Sequence, residues 1–337
     1  MKVSILIPCF NEEKSIEKCV LSCLNQSRKP DQIVVVDDSS TDKTPDILAR
    51  YRGQIKIVRT LKRTGKKSSA QEYGLKFIEG DIFVVTDGDT VLHKNFIKNI
   101  IKGFNGSNIV AVSGYVKSIK YNWLTACRAF EYSLGQNVHK LAQSFINYLF
   151  VIPGAAGAFE VAFFKKYLSF EHDTLTEDLD FTYKIHKAGK RIGYRRDAIV
   201  YTQDPPNIRS YINQMRRWYG GGWQNLIKHL DILEKPAQAL ELSVVYIEGL
   251  IFSILLMLLP IINIKIALYT LGLHFVITAL LSVFTAIREK RADLLMVPFF
   301  YYVPTFVNAW VFLEQFIKEV ILRRKNLVWF TPDRIKV

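Results

Sequence analysis

Asp87-Gly88-Asp89 sets two carboxylates either side of a glycine, which leaves room for a ligand to come close. Paired oxygen donors of this kind suit a hard divalent cation, Mg²⁺ or Mn²⁺, which can bridge to a diphosphate. Upstream, Thr64-Gly65-Lys66-Lys67-Ser68 is a basic loop opening a helix, where lysine and a helix N-terminus together favour phosphate; Lys66 is the candidate. Its glycine and lysine spacing is not that of a Walker loop. A second acidic cluster, Thr176-Glu177-Asp178-Leu179-Asp180, precedes a helical stretch. It serves either as a cap or as the source of a third carboxylate acting as general base. Gln214, Arg217 and Trp218 stand at i, i+3 and i+4, which puts an amide, a guanidinium and an indole on one helical face. That face suits a sugar ring or a diphosphate, and equally a plain anchor at a membrane surface.

Alternating strands and helices must position these groups. Val3–Ile7, Ile33–Val36, Ile55–Val58 and Ile82–Val85 are short apolar runs, as expected for strands buried on both faces. Between them lie helical patterns, one with Ile16, Val20, Leu21 and Leu24, one opened by Thr44 as cap and Pro45, and one over Ser68–Ile78. The alternation predicts a parallel sheet with helices on both faces, whose ligands bind at the carboxyl ends of the strands. Asn11 and Glu12, Asp37 and Asp38, and Asp87 and Asp89 all follow strands, so they form a polar rim on one edge. From Asn207 to Pro236 the pattern is amphipathic and basic, consistent with two helices in a membrane interface separated at Gly220-Gly221-Gly222.

The remainder is strongly apolar. Leu242–Ile264 holds one charge, Glu248; Ile266–Ile287 holds none, and neither does Leu294–Leu313, which Pro298 and Pro304 interrupt. Each run is long enough to cross a hydrocarbon core of about 30 Å. Basic clusters flank them: Lys228 and Lys235; Arg288, Lys290 and Arg291; Arg323, Arg324 and Lys325. Placing all three clusters in the cytoplasm requires the third run to be broken or re-entrant. The N-terminus has too short an apolar run for a signal peptide, so the catalytic portion is expected in the cytoplasm of an integral membrane protein. Cys9, Cys19, Cys23 and Cys127 lack zinc spacing and are expected as buried thiols. The net charge of +14 favours anionic partners. Nucleic acid is not expected among them, because the basic residues are scattered and the sheet rim is acidic.

Taken in order, Pro8-Cys9-Phe10-Asn11-Glu12-Glu13, Asp37-Asp38, Gly65-Lys66, Asp87-Gly88-Asp89, Thr176-Glu177-Asp178 and Gln214-Met215-Arg216-Arg217-Trp218 resemble the motif series of membrane-bound family 2 glycosyltransferases. The most similar are the processive hyaluronan, cellulose, chitin and poly-N-acetylglucosamine synthases. The resemblance implies an α/β GT-A (Rossmann-like) nucleotide-sugar domain over 1–207 and amphipathic interface helices over 208–236. A transmembrane region over 240–322 and a cytoplasmic tail over 323–337 would follow. It implies inverting, β-forming transfer of a hexose or N-acetylhexosamine from a UDP-sugar to a glycan hydroxyl, with Mg²⁺ or Mn²⁺.

By this resemblance Asn11, Glu12, Asp37 and Lys66 hold uridine and diphosphate. Asp87 contacts the nucleotide, Asp89 binds the metal, and Asp178 is the base. Gln214, Arg217 and Trp218 lie under the donor diphosphate and acceptor sugar. Val151–Gly157 resembles a loop near the acceptor, and Trp329–Arg334 a tail motif that returns to the active site. Met215 departs from the pattern, standing where many polymerising members have Gln or Arg. Membrane lipids and a homo-oligomer are the further expected partners. The alternative reading is transfer of one sugar to a polyprenyl phosphate or other lipid-linked acceptor, a class that generally lacks the Gln-x-x-Arg-Trp pattern.

Overall fold

The computed structural model describes residues 1–234, 239, 242–325, 327 and 335; Lys235 and the Trp329–Arg334 motif lie outside the described residues. The chain forms two compact units, one built from Met1–Lys117 and Lys140–Gln203, the other from Ser118–His139 and Asp204–Asp333. Along the chain come β1 (Val3–Cys9), α1 (Ile16–Leu24), β2 (Gln32–Asp37), α2 (Thr44–Ala49), β3 (Lys56–Arg59) and α3 (Lys67–Leu75). β4 (Ile82–Val85), β5 (Val91–Leu92), α4 (Phe96–Ile100) and β6 (Ile109–Ser118) follow. Then come α5 (Trp123–Leu134), α6 (Lys140–Phe145), β7 (Gly157–Glu160), α7 (Val161–Tyr167), α8 (Glu177–Lys187), β8 (Arg191–Thr202) and α9 (Ile208–Lys228).

In the first unit one sheet runs in the order β3-β2-β1-β4-β7-β6-β8-β5. β3, β2, β1 and β4 are parallel, with Ile5 opposite both Ile33 and Val84. The expectation of a parallel sheet therefore holds for this half and fails beyond it. β7 pairs antiparallel with both β4 and β6, and β5 antiparallel with β8. The strand–helix period that forces right-handed parallel crossovers ends at Val85. β7 enters only after a long excursion, and no short crossover dictates its direction. Leu6, Val34 and Val36 join Phe83, Phe159, Phe164 and Phe181 in the core, where Phe83 and Phe164 meet edge to face at 4.9 Å. The cap of α2 is Lys43 rather than Thr44, because the Thr44 hydroxyl is engaged by the Glu12 amide.

The second unit is helical. Val244–Ile262 and Ile264–Glu289 are each long and apolar enough to cross a membrane. The third apolar segment bends by 59° between Ala292–Phe300 and Tyr302–Ile321. Pro298 sits in the first turn of the short helix Val297–Phe300 and Pro304 in the first turn of the longer helix Tyr302–Phe316, where the missing N–H costs little. Glu248 is exposed near the start of the first span rather than at its middle.

The triglycine does not break the amphipathic stretch: α9 runs unbroken from Ile208 to Lys228. All three glycines are buried, and the Tyr246 hydroxyl donates to the Gly222 carbonyl at 2.9 Å. A neighbouring segment packed this closely against the backbone outweighs the low helix propensity of glycine. Met215 is buried with Tyr211, Leu124 and Val311, which explains an apolar residue at that position of the motif.

Candidate active site

The rim lies where strand–helix alternation predicts it. After β1, Asn11 takes a left-handed backbone (φ 53°), and its Oδ1 accepts the Thr41 amide at 2.8 Å. Glu12 is buried and accepts the Ser15 hydroxyl at 2.7 Å. After β2, Asp37 accepts the Ser40 amide at 2.9 Å and faces Arg59 Nη1 at 3.3 Å. Asp38 accepts the Thr64 amide and hydroxyl, each at 2.9 Å, and so ties down the basic loop.

At the end of β4 the geometry converges. Lys67 Nζ lies 2.5 Å from Asp87 Oδ1 and 3.8 Å from Glu177 Oε1. Burial alone would depress this lysine, but Asp87 and Glu177, with Asp178 behind them, lift it above its ordinary value, so it stays a cation. Asp178 opens α8 and accepts the Gly154 amide on Oδ2 at 3.2 Å and the Leu179 amide on Oδ1 at 2.9 Å. The Val151–Gly157 loop thereby meets the carboxylate of Asp178. A Cβ on Gly154 would stand 2.9 Å from Lys67 Nζ, so only glycine admits the lysine here without displacement. Asp89 is buried, with the Thr90 hydroxyl 3.3 Å from Oδ1.

Sequence reasoning chose Lys66, but its ammonium instead donates to the His172 carbonyl at 2.7 Å. The missed lysine carried a signal. Lys66 is the extended cap of α3, whereas Lys67 is seven residues before Gly74 and shares its face. Gly74 packs on the sheet, where an added Cβ would meet Leu6 at 2.4 Å. Lys140 was also missed. It is 7% exposed, donates to the Ser113 hydroxyl at 3.0 Å, and is driven by burial down to about 7 against a partial lift from Asp178.

In the second unit Gln214, Arg217 and Trp218 stand on α9. Gln214 is buried, and its Oε1 has no hydrogen-bond partner among the described residues. Trp218 is half-buried, with the Arg128 guanidinium 4.8 Å from its ring centre.

Among the described residues no group of three His, Cys, Asp or Glu is placed to hold a metal ion. The two carboxylates that the sequence offers for Mg²⁺ or Mn²⁺ are Asp87, whose Oδ1 is engaged by Lys67, and Asp89, which is buried.

A half-parallel α/β sheet with this acidic edge is a GT-A-like, Rossmann-like domain, the architecture of nucleotide-sugar glycosyltransferases. The mannosyltransferase PcManGT of Pyrobaculum calidifontis, solved with GDP-Man and Mn²⁺, superposes with a TM-score of 0.67 at 20% identity, over 96% of this chain and 88% of that one. Staphylococcus aureus TarS in complex with UDP does so with 0.52 at 19%, over 96% and 92%.

Over residues 4–166 the chain matches the Glycosyl transferase family 2 model. Its relatives include an N-acetylglucosaminyltransferase of Azorhizobium caulinodans, 30% identical over 64% of this chain and 58% of that protein. A poly-beta-1,6-N-acetyl-D-glucosamine synthase of Staphylococcus epidermidis is 24% identical over 98% and 87%. The chain thus spans little more than half of the first relative and most of the second.

Proposed function

We propose that the protein is an inverting, metal-dependent glycosyltransferase that moves a sugar, of the N-acetylhexosamine class, from a UDP-sugar to a hydroxyl of a growing β-linked glycan at the membrane. The observation that carries this is the meeting of Lys67, Asp87, Glu177 and Asp178 at the carboxyl edge of the parallel strands. A fixed ammonium there suits a leaving diphosphate, and a carboxylate beside it suits a proton acceptor. The N-acetylglucosamine-handling relatives support the sugar class. The two apolar helices and the bent third segment support a membrane setting, and the basic clusters that flank them support a cytoplasmic sheet domain.

In this reading Asn11, Glu12 and Asp37 shape the nucleoside pocket, and Lys67, with Lys66 near it, neutralises the diphosphate. Asp89, with Asp87, would hold Mg²⁺ or Mn²⁺, which supplies Lewis-acid stabilisation of the departing diphosphate when bound. Asp178 takes the proton of the acceptor hydroxyl as its oxygen bonds to the anomeric carbon and the bond to UDP breaks. A single displacement of this kind inverts the anomeric centre. Gly154 and Leu179, by donating to the two oxygens of Asp178, fix the direction in which it accepts. Gln214, Arg217 and Trp218 receive the diphosphate and acceptor sugar.

The test is to incubate detergent-purified protein and Mn²⁺ with each labelled UDP-sugar and size the product. A high-molecular-weight smear from one sugar is expected. One small lipid-extractable product would instead assign single-sugar transfer to a lipid-linked acceptor. UDP-sugar left intact with all donors and acceptors supplied would overturn the reading.

A further inference from the structure

Within the second unit, Arg128 on α5 is 4% exposed at its side chain, yet it belongs to none of the motifs above. Its guanidinium lies 4.8 Å from the ring centre of Trp218, 4.8 Å from Tyr132 and 5.5 Å from Tyr211. It pairs with Glu131 and faces Asp204 at 3.5 Å. Asp204 is in turn held by the Tyr132 hydroxyl at 2.9 Å. From the other side, Asn308 of the third apolar segment donates to Glu131 at 3.3 Å and accepts the Tyr211 hydroxyl at 2.7 Å. Asn308 is a polar side chain in a segment otherwise suited to lipid, and these two bonds satisfy it.

Burying an arginine with two carboxylates is a costly way to stabilise a helix pair, since well-packed apolar residues do as well or better. Here Arg128 Nε and Asp204 Oδ2 are buried without a hydrogen bond. Hydrogen bonding therefore does not fully use the guanidinium, whereas its central carbon lies within 5.5 Å of three ring centres. Arginine is suited to that, being planar and weakly hydrated. A cation above one face of an indole also occupies that face, so a sugar ring can stack only on the other.

We infer that Arg128 is a positioning residue for Trp218: it fixes the plane of the indole and blocks one of its faces, braced by Glu131 of the same helix, which Asn308 of the third apolar segment holds in turn. This rests on the proposed transfer reaction only for its consequence, that the fixed indole receives the acceptor sugar.

The test compares Arg128→Lys, Trp218→Phe and the double variant in the full-length detergent-purified protein. Arg128→Lys keeps the charge opposite Glu131 and Asp204 and should fold, with a thermal midpoint near wild type. The protein has five tryptophans, so the emission difference between wild type and Trp218→Phe isolates Trp218. In the Arg128→Lys background that difference should shift, and its quenching by acrylamide should at least double. Transfer, followed with the UDP-sugar that wild type uses, should fall about tenfold for Arg128→Lys at saturating donor, with UDP affinity unchanged. Trp218→Phe should add little in the double variant, because both changes disable one indole.

Unchanged Trp218 emission and quenching in Arg128→Lys would overturn the inference, as would additive losses in transfer. Arg128→Met provides a second arm: if Arg128→Lys is unstable, an apolar replacement that leaves Trp218 quenching as in wild type overturns it equally. A wild type inert toward every UDP-sugar would sink the proposed reaction, while the fluorescence would still decide the Arg128–Trp218 relationship.

Discussion

Lys67 Nζ stands 2.5 Å from Asp87 Oδ1, which joins the basic loop before α3 to the acidic edge after β4. A cation held this way is placed to meet a diphosphate, while its neighbour Lys66 is engaged with a backbone carbonyl. Lys67→Met should therefore weaken UDP affinity at least about thirtyfold, whereas Lys66→Met should weaken it several-fold at most. Loss of one buried charge-assisted contact, about 2 kcal/mol, sets that scale. Calorimetric titration of UDP with Mn²⁺ distinguishes them, and equal losses would remove the special place given to Lys67.

Asp178 and Asp89 should separate by readout. Asp178→Asn is expected to lower transfer by about a thousandfold and leave UDP affinity within about twofold, because the base acts on the acceptor. Asp89→Asn should weaken UDP binding in the presence of Mn²⁺ and change it little without the metal. Comparable losses of UDP affinity in both variants would refute this division of labour.

Gly154→Ala adds a Cβ 2.9 Å from Lys67 Nζ. The lysine is the flexible partner, so it should move off Asp87 while the fold loses no more than about 1 kcal/mol. The expected result is weakened UDP affinity at a nearly unchanged thermal midpoint. A wild-type affinity would show that the lysine finds the same place by another route.

Lys140 makes stability depend on pH. Its folded value of about 7 lies below the ordinary lysine value of 10.5, so across that window the unfolded chain holds a proton that the folded chain has released. Stability accordingly rises with pH from about 7 to 10.5, and below about 7 the fold bears the full cost of a buried charge. That cost has an upper bound of about 5 kcal/mol, and replacing the lysine recovers it less about 1 kcal/mol for the Ser113 hydroxyl left without its partner. Lys140→Met should raise the thermal midpoint at pH 6, flatten its rise toward pH 10, and converge on wild type there. A midpoint lowered equally at both pH values would contradict this.

Gly222→Ala tests packing against propensity. An exposed helical glycine gains about 1 kcal/mol on such a change. Here the added Cβ would lie 3.2 Å from the Tyr246 hydroxyl, which also donates to the Gly222 carbonyl. The gain should vanish or reverse in wild type and reappear in a Tyr246→Phe background, read by thermal melting in detergent.

Much of the site was legible because its signals are local. Apolar runs of strand length ending in Asn11, Asp37 and Asp87 mark one edge of a sheet whatever follows, and Pro298 and Pro304 mark the 59° bend. What depends on distant chain was not legible. The antiparallel half of the sheet follows a long excursion, and the continuity of α9 through Gly220–Gly222 depends on Tyr246. Arg128 meets Trp218 from ninety positions away along the chain, with no pattern to announce it. Lys67 stood between these extremes, one residue from the lysine chosen, and the helical register of α3 tells the two apart.

All four cysteines, Cys9, Cys19, Cys23 and Cys127, are unpaired and buried. Burial pushes the Cys9 thiol well up and Cys127 to about 12, and a hydrogen bond with Cys23 together with burial raises Cys19. Thiolate, the form that alkylating reagents attack, is therefore scarce at Cys9, Cys19 and Cys127 near neutral pH, and Cys23 is wholly buried away from reagent. The natural chain is consequently a silent background for maleimide chemistry. A single cysteine introduced beyond Lys325, or between the two long apolar helices, will report which face of the bilayer it occupies without any native thiol having to be removed.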